Sequence, residues 1–420
     1  MFRFLHTADL LLDSPLRGLR SRDEEGVEAL LGASRKAFEA LIDLAISEAV
    51  DFVVIAGDVY DRDWKGYETG LFFRRGMARL DAAGISVYLI SGNHDAASVI
   101  SKQLSLPENV HVFPSKKPAT EQPDAWPVAI HGMSFPNQAV DENLVPRYPT
   151  AVAGKFNLGL LHTSLAGGEG HDTYAPCSVA DLLGKGYDYW ALGHIHQPRV
   201  VHEDPWIVYP GNLQGRHIRE CGPRGCRLVT VDDSLAVAVC DWHSLDVARW
   251  AEQKVDFGGV ASFEEALPRL RAAMGEAVEA AEDRLLALRV VVEGVTAING
   301  ALRGRPDRLE AEADSITGDF GEGAVWIEKI KIATRPEVSL EKLAQRDGLT
   351  KVVVEATLGT PAESDLVSVL PAEVGRMLTA LPDDIREELK KGWTSEGLRE
   401  IQDDARNLIL EHLVSKGGEA

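Results

Sequence analysis

Four cysteines in 420 residues (Cys177, Cys221, Cys226 and Cys240) are too few and too scattered to staple a fold, which excludes a disulfide scaffold and fits a reducing compartment. No run approaches the roughly 20 apolar residues that a membrane span requires. The N-terminal MFRFLHTADLLLDSP reaches charged and turn residues too early for a secretory signal. A cytoplasmic protein with no membrane contact is expected. GxxxxGK[ST] does not occur, so the chain carries no ATP-hydrolysing P-loop of its own. Around Ser164 and the GGEGHD stretch there is no elbow of base and oxyanion donors to make a serine nucleophile. Internal repeats and low-complexity tracts are also missing. Positive charge is scarce, with 44 Lys and Arg against 65 Asp and Glu and a net charge of −21. So acidic a chain repels nucleic acid over most of its surface, and any such contact needs a local basic patch, bound cations or a basic partner.

What is present is an ordinary globular composition, 45% hydrophobic and 26% charged, with length for two or three domains. Residues 1–245 alternate strand-like runs (RFLHTA, DFVVIAG, SVYLISG, VAIHGMSF, NLGLLHTS, DYWALGHIH) with helical spacing at Lys36–Val50 and Tyr67–Ala83. The later runs RVVHEDPWIVYPG, GCRLVTVDD and LAVAVCDW lack helices between them and predict a second, antiparallel sheet. After a break at 246–257, a helix at 263–281, a strand LLALRVVVEG, a helix at 297–315 interrupted by Gly-Arg-Pro, and a strand AVWIEKIKIATRP predict a β-α-β unit over 255–336. Residues 337–420 read as mostly helical, apart from KVVVEAT.

Chemistry concentrates in five segments: HTAD (6–9), GDVYD (57–61), GNHD (92–95), HTS (162–164) and GHIH (193–196), each following an apolar run. In a parallel sheet such residues gather where strands end. Asp9, Asp58, Asn93, His162, His194 and His196 offer carboxylate, amide and imidazole donors, a mixed set that suits manganese, iron or zinc better than calcium. Alternation along GHIH sends His194 and His196 to one side. If β alternation persists past Asp9, Asp13 shares its face, while His6 points to the opposite one.

These segments, with APCSVADL, ALGHIHQP and PGNLQGRHIRE, resemble the calcineurin-like metallophosphoesterase superfamily, and within it the SbcD and YhaO type of DNA repair exonuclease. The resemblance implies an α/β fold, a two-sheet α-β-β-α sandwich with a small β-α-β capping domain and a helical C-terminal region. It implies two divalent ions, Mn2+ foremost, with Asp58 shared, Asp9 and His196 on one ion, and Asn93, His162 and His194 on the other. His94 would face the scissile phosphodiester, and Asp95 would orient its ring. It also implies DNA as substrate, an SMC-like coiled-coil P-loop ATPase as partner, and a homodimer. One position departs from the family: its Asp-x-His motif here reads Asp9-Leu10-Leu11, and leucine has no donor for a metal. That departure sets a second reading beside the nuclease, a DNA-end binding or scaffold subunit. A small-molecule phosphodiesterase is the third.

Basic residues cluster in GRHIRECGPRGCR, where Arg216, His217 and Arg219 read either as a solvated hairpin or as phosphate contacts beside the metals. Arg17 and Arg62, on loops leaving the same rim, extend that patch. His217, Cys221 and Cys226 lack the paired spacing of a zinc site. Amphipathic stretches between Pro371 and Val414 fit either a docking surface for the ATPase or a cap on the chain's own core.

Overall fold

The computed structural model describes residues 1–14, 30–61, 67–97, 105–165, 174–321 and 323–337. Two six-stranded sheets are built from strands β1 (Phe2–Thr7), β2 (Phe52–Ala56), β3 (Ser86–Ile90), β4 (Val110–Val112), β5 (Ala119–Glu121), β6 (Val128–Gly132), β7 (Phe156–His162), β8 (Tyr189–Gly193), β9 (Arg199–Glu203), β10 (Trp206–Tyr209), β11 (Gly225–Val231) and β12 (Val237–Ser244). The first runs β12-β11-β1-β2-β3-β4 and the second β5-β6-β7-β8-β10-β9. Strands β2, β6, β7 and β8 are buried at every residue, as parallel strands covered on both faces must be.

Alternation along the strands sorts the side chains into layers. Phe2, Phe4, Phe52, Ile130, Phe156, Leu158 and Tyr189 fill the space between the sheets, with Phe4 stacked on Phe52 at 5.2 Å. Leu5, Val53, Ile55 and Val87 face outward onto helices α1 (Ala33–Ser47) and α2 (Tyr67–Ala82). The apolar residues of α1 that meet them, Ala37, Phe38, Leu41, Ile42 and Ala45, recur at helical spacing. On the far side Leu161, Trp190 and Leu192 pack with Tyr148, Tyr187 and Leu182. The expected two-sheet sandwich is the observed fold.

Two expectations need correction. The late strands do not make an antiparallel sheet of their own: β11 and β12 add antiparallel to β1 in the first sheet, while β10 pairs parallel with β8 and carries β9 at the edge of the second. The break at 246–257 is largely a strand, β13 (Ala248–Asp256), which joins β14 (Leu285–Val295) and β15 (Val325–Arg335) in a third sheet of order β13-β14-β15. Gly304 and Pro306 divide the predicted helix at 297–315 into two, Asn299–Gly304 and Pro306–Thr317, because proline cannot continue a preceding helix. Among the described residues the chain forms two compact units, one drawing on 1–252, 277–289 and 320–328, the other on 253–276, 290–319 and 329–337. The C-terminal region and the amphipathic stretches at 371–414 lie outside the described residues.

Candidate metal centre

The strands β1 and β2 end at Thr7 and Ala56, but their backbones continue side by side: Asp9 N–H donates to Gly57 O at 2.9 Å, Leu11 N–H to Asp58 O at 3.1 Å and Leu12 N–H to Val59 O at 3.0 Å. This places two acids at adjacent strand ends. Asp9 (φ 50°), Asp58 (φ 54°) and His194 (φ 98°) all take left-handed backbone, strain that a functional constellation characteristically stores. Gly57 must be glycine, since a Cβ there lies 2.6 Å from His162 Nδ1 and its φ is +96°.

Asp9, Asp58 and His162 are fully buried, and their ligand atoms lie within 4.8 Å of one another. His162, from the end of β7, has Nδ1 2.9 Å from Ala56 O, while Nε2 stands 2.9 Å from Asn93 Oδ1 and 3.3 Å from Asp58 Oδ2. The backbone N–H of His194 donates to both oxygens of Asp9, and its ring meets the His162 ring edge-on at 5.3 Å. His196 Nε2 lies 3.9 Å from Asp9 Oδ1. All six residues named from the sequence as metal ligands therefore converge.

The electrostatics ask for a cation. Burial raises the Asp9 carboxyl, and the neighbouring Asp58 charge adds to this against the pull of the histidines. Burial opposes ionisation of Asp58 as well, but the charge and hydrogen bond of His162 hold its carboxyl below the usual range. Burial acts against charge on His162, yet Asp58 lifts its imidazole to about 9. A proton on His162 thus supplies the positive charge that two buried carboxylates require, the place a divalent ion takes with the same donors. The residues fit such an ion, and oxygen mixed with imidazole suits manganese, iron or zinc.

The ring of His94, at the start of the short helix α3 (Asn93–Ala97), is held by Asp61, with Nδ1 3.1 Å from Oδ1, where sequence reading expected Asp95. Asp95 instead accepts from the backbone N–H groups of Val59, Tyr60 and Gly92 at 3.1–3.2 Å. The turn of α3 aims its side chain back at the loop that carries Asp58. Burial and the Asp58 charge push the Asp95 carboxyl up to about 7. Asp61, which the sequence reading missed, is signalled only by its place three residues after Asp58.

Arg216 is drawn inward. It pairs with Glu220 at 3.0 Å and with Asp61 at 3.5 Å, so it is not a free phosphate contact. His217 and Arg219 remain exposed. Glu220, also missed, lies 2.7 Å from His196 Nδ1. Asp13 does not replace the missing ligand: β1 stops at Thr7, and the Asp13 carboxylate takes two hydrogen bonds from Arg35 and one from Thr69. Leu11 is 1% exposed and brings only hydrocarbon. His6 faces away, toward Tyr189 Oη and Leu192 O. Arg17 and Arg62 lie outside the described residues.

Comparisons with known proteins agree with this geometry. Residues 2–198 match the family described as calcineurin-like phosphoesterase, and residues 250–335 match the middle domain of metallophosphoesterase YhaO. The uncharacterized metallophosphoesterase YhaO of Bacillus subtilis (strain 168) is 40% identical over 232 residues, 54% of this chain and 57% of that protein, so the match spans little more than half its length. Solved structures similar to parts of the chain include TT1561 of Thermus thermophilus (TM-score 0.36, 13% identity, 58% of this chain and 99% of that one). A dimetal phosphatase from Danio rerio is another (TM-score 0.35, 13% identity, 55% and 93%).

Proposed function

We propose, from the match of residues 2–198 to the calcineurin-like phosphoesterases and the 40% identity to YhaO of Bacillus subtilis, that this chain is a metallophosphoesterase that hydrolyses phosphodiester bonds in DNA with two divalent cations, manganese foremost. The observation that carries the reading is the convergence of Asp9, Asp58 and His162 in a buried cluster at three strand ends. Asp58 would be shared between the two ions, Asp9 and His196 would complete one position, and Asn93, His162 and His194 the other. Bound there, the cations supply Lewis-acid charge to the phosphoryl oxygens and lower the pKa of the attacking water. His94, 16% exposed and steered by Asp61, reaches the phosphodiester from the rim and delivers a proton or positive charge to the leaving oxygen. His217 and Arg219, exposed beside His196, serve phosphate contact. The resemblance of the motifs to SbcD- and YhaO-type exonucleases favours a polymeric substrate in DNA repair over a small phosphoester. With no P-loop in the chain, ATP hydrolysis falls to an SMC-like coiled-coil partner, for which residues 371–414 are the docking segment, in a cytoplasmic, dimeric assembly.

Leu11 favours a second reading, a DNA-end binding subunit with reduced catalysis, because the buried leucine removes a donor from the Asp9 position. Cleavage of linear duplex DNA in Mn2+ by the chain, by its Leu11→His variant and by Asp58→Ala separates the two. Cutting by the parent above the Asp58→Ala background, falling steeply as salt rises from about 50 to 200 mM, supports the nuclease. Cutting by Leu11→His alone supports the binding subunit. Hydrolysis of bis(p-nitrophenyl) phosphate with neither cleavage nor binding of duplex DNA overturns both.

A further inference from the structure

The segment PGNLQGRHIRE, which follows β10, wraps the backbone and ring of His196 in a way the metal ligands alone do not explain. Asn212 N–H donates to His196 O at 3.1 Å, and the Arg224 guanidinium donates to the same carbonyl. Gly211 (φ +75°) lies so close that a Cβ would meet His196 O at 2.6 Å. At the ring, Glu220 Oε1 stands 2.7 Å from Nδ1, with the carboxylate 7% exposed. Five donors converge on that carboxylate: His196 Nδ1 and Arg216 Nη2 (3.0 Å) on Oε1, and Asn212 Nδ2 (2.9 Å), the Arg216 backbone N–H (2.8 Å) and Arg216 Nε (3.5 Å) on Oε2.

A carboxylate so engaged is ionised and only accepts, so the short contact needs its proton on Nδ1. Arg216 Nη2, 3.3 Å from the same nitrogen, could donate to it only in the other tautomer, which would set the Nδ1 lone pair against the carboxylate oxygen at 2.7 Å; the shorter, charge-assisted contact decides for Nδ1–H. Nε2, the atom nearer Asp9, is then left with its lone pair turned toward the carboxylate cluster. The same guanidinium reaches Asp61 Oδ2 at 3.5 Å and Ser14 Oγ at 3.3 Å, and Asp61 holds His94.

We propose that Glu220 is a positioning residue that fixes His196 in the Nδ1–H tautomer for the Asp9 cation position, and that Arg216 clamps it and ties it to the Asp61–His94 pair. The inference rests on the metal-centre reading above. It matters more in this chain because position 11 supplies no donor, which leaves His196 as the imidazole of that position. A carboxylate behind a ligating histidine raises its basicity and fixes its orientation.

The test is titration of the metal-free full chain with Mn2+ by calorimetry, for the parent and Glu220→Gln. Glu220→Gln should weaken one binding event about 10- to 100-fold and leave the other within about threefold. Because a change in a buried network can also unsettle the fold, the tautomer is read independently on the metal-free parent by 15N NMR of its histidines, at a pH where the His196 ring is neutral. A bare Nε2 and protonated Nδ1 are expected. A parent that binds no Mn2+ removes the metal-centre reading and the inference with it. A parent that binds while Glu220→Gln binds equally well, or loses both events alike, overturns the inference alone, as does an Nε2–H signal for His196.

Discussion

Replacing Gly92 by alanine should damage the centre by pushing a methyl group into the side chains that build it. The φ of Gly92 lies outside the left-handed region, so alanine meets no backbone strain there and the effect is one of space. A Cβ at position 92 would sit 2.3 Å from Asp58 Oδ1 and 2.8 Å from His162 Cε1. Ordinary contact requires about 3.4 Å, so the carboxylate oxygen must retreat by roughly 1 Å. Its hydrogen bond from His94 N–H, now 2.9 Å, then passes out of range. Forcing a methyl into a packed site costs about 1–3 kcal/mol, and losing a hydrogen bond to a charged group about 1.5–3 kcal/mol. Together these predict a loss of about 2.5–6 kcal/mol, which at about 2–4 °C per kcal/mol lowers the melting temperature by at least about 5 °C. Scanning calorimetry of the metal-free chain measures this, and Mn2+ titration of the same variant should show binding weakened. Gly304→Ala, at a helix end with nothing within 4 Å of the added carbon, is the control and should be neutral or stabilising by up to about 1 kcal/mol. A Gly92→Ala variant that melts and binds Mn2+ like its parent would refute the packing argument.

Three further outcomes follow from the same structure. His6 is buried, and desolvation depresses its imidazole from 6.5 to about 3. Between those values the unfolded chain binds a proton that the native state refuses, so stability is full above pH 6.5 and falls as pH drops toward 3; His6→Gln should flatten urea-derived stability by up to about 1 kcal/mol per pH unit across that window, and an unchanged slope would remove His6 from the account. Gly159→Ala in β7 would bring a Cβ within 2.5 Å of the Trp190 ring and should cost about 1–3 kcal/mol, read by urea denaturation; parent-like stability there contradicts the tight fit of Trp190. Leu11→His should lower the metal-free melting temperature, because a polar ring replaces buried hydrocarbon, but should show a larger upward shift with Mn2+ than the parent; equal shifts would mean that position 11 does not face the cation.

The gathering of Asp9, Asp58 and His162 was legible because each follows an apolar run, and runs such as DFVVIAG and NLGLLHTS predict their own ends. What failed was non-local. Nothing in GCRLVTVDD says that it lies beside β1, since pairing across more than 200 residues is set by how the layers close. ARWAEQKVD reads as a break because its charged and amide residues outnumber apolar ones, although β13 buries Ala248, Arg249, Trp250 and Val255. Arg216 looked like a free cation because sequence does not show that Glu220, four residues on, and Asp61, far upstream, both turn toward it. The exchange of Asp95 for Asp61 at His94 has the same origin: α3 begins at Asn93, and one helical turn decides which acid faces the ring.

Position 11 is joined to the site by its amide, which donates to Asp58 O, and not by its side chain. The backbone struts here therefore ask for a residue with an N–H that tolerates φ 43°, while the side chain contributes only buried hydrocarbon. Coordination and architecture are inherited through different atoms of one residue. A lineage can lose a ligand here while every backbone strut around Asp58 stays in place, and it can regain one by a single codon's worth of change without refolding anything. The rim of the sandwich is thus a place where a side chain can change while the backbone struts and the layer of aromatic side chains beneath it stay in place.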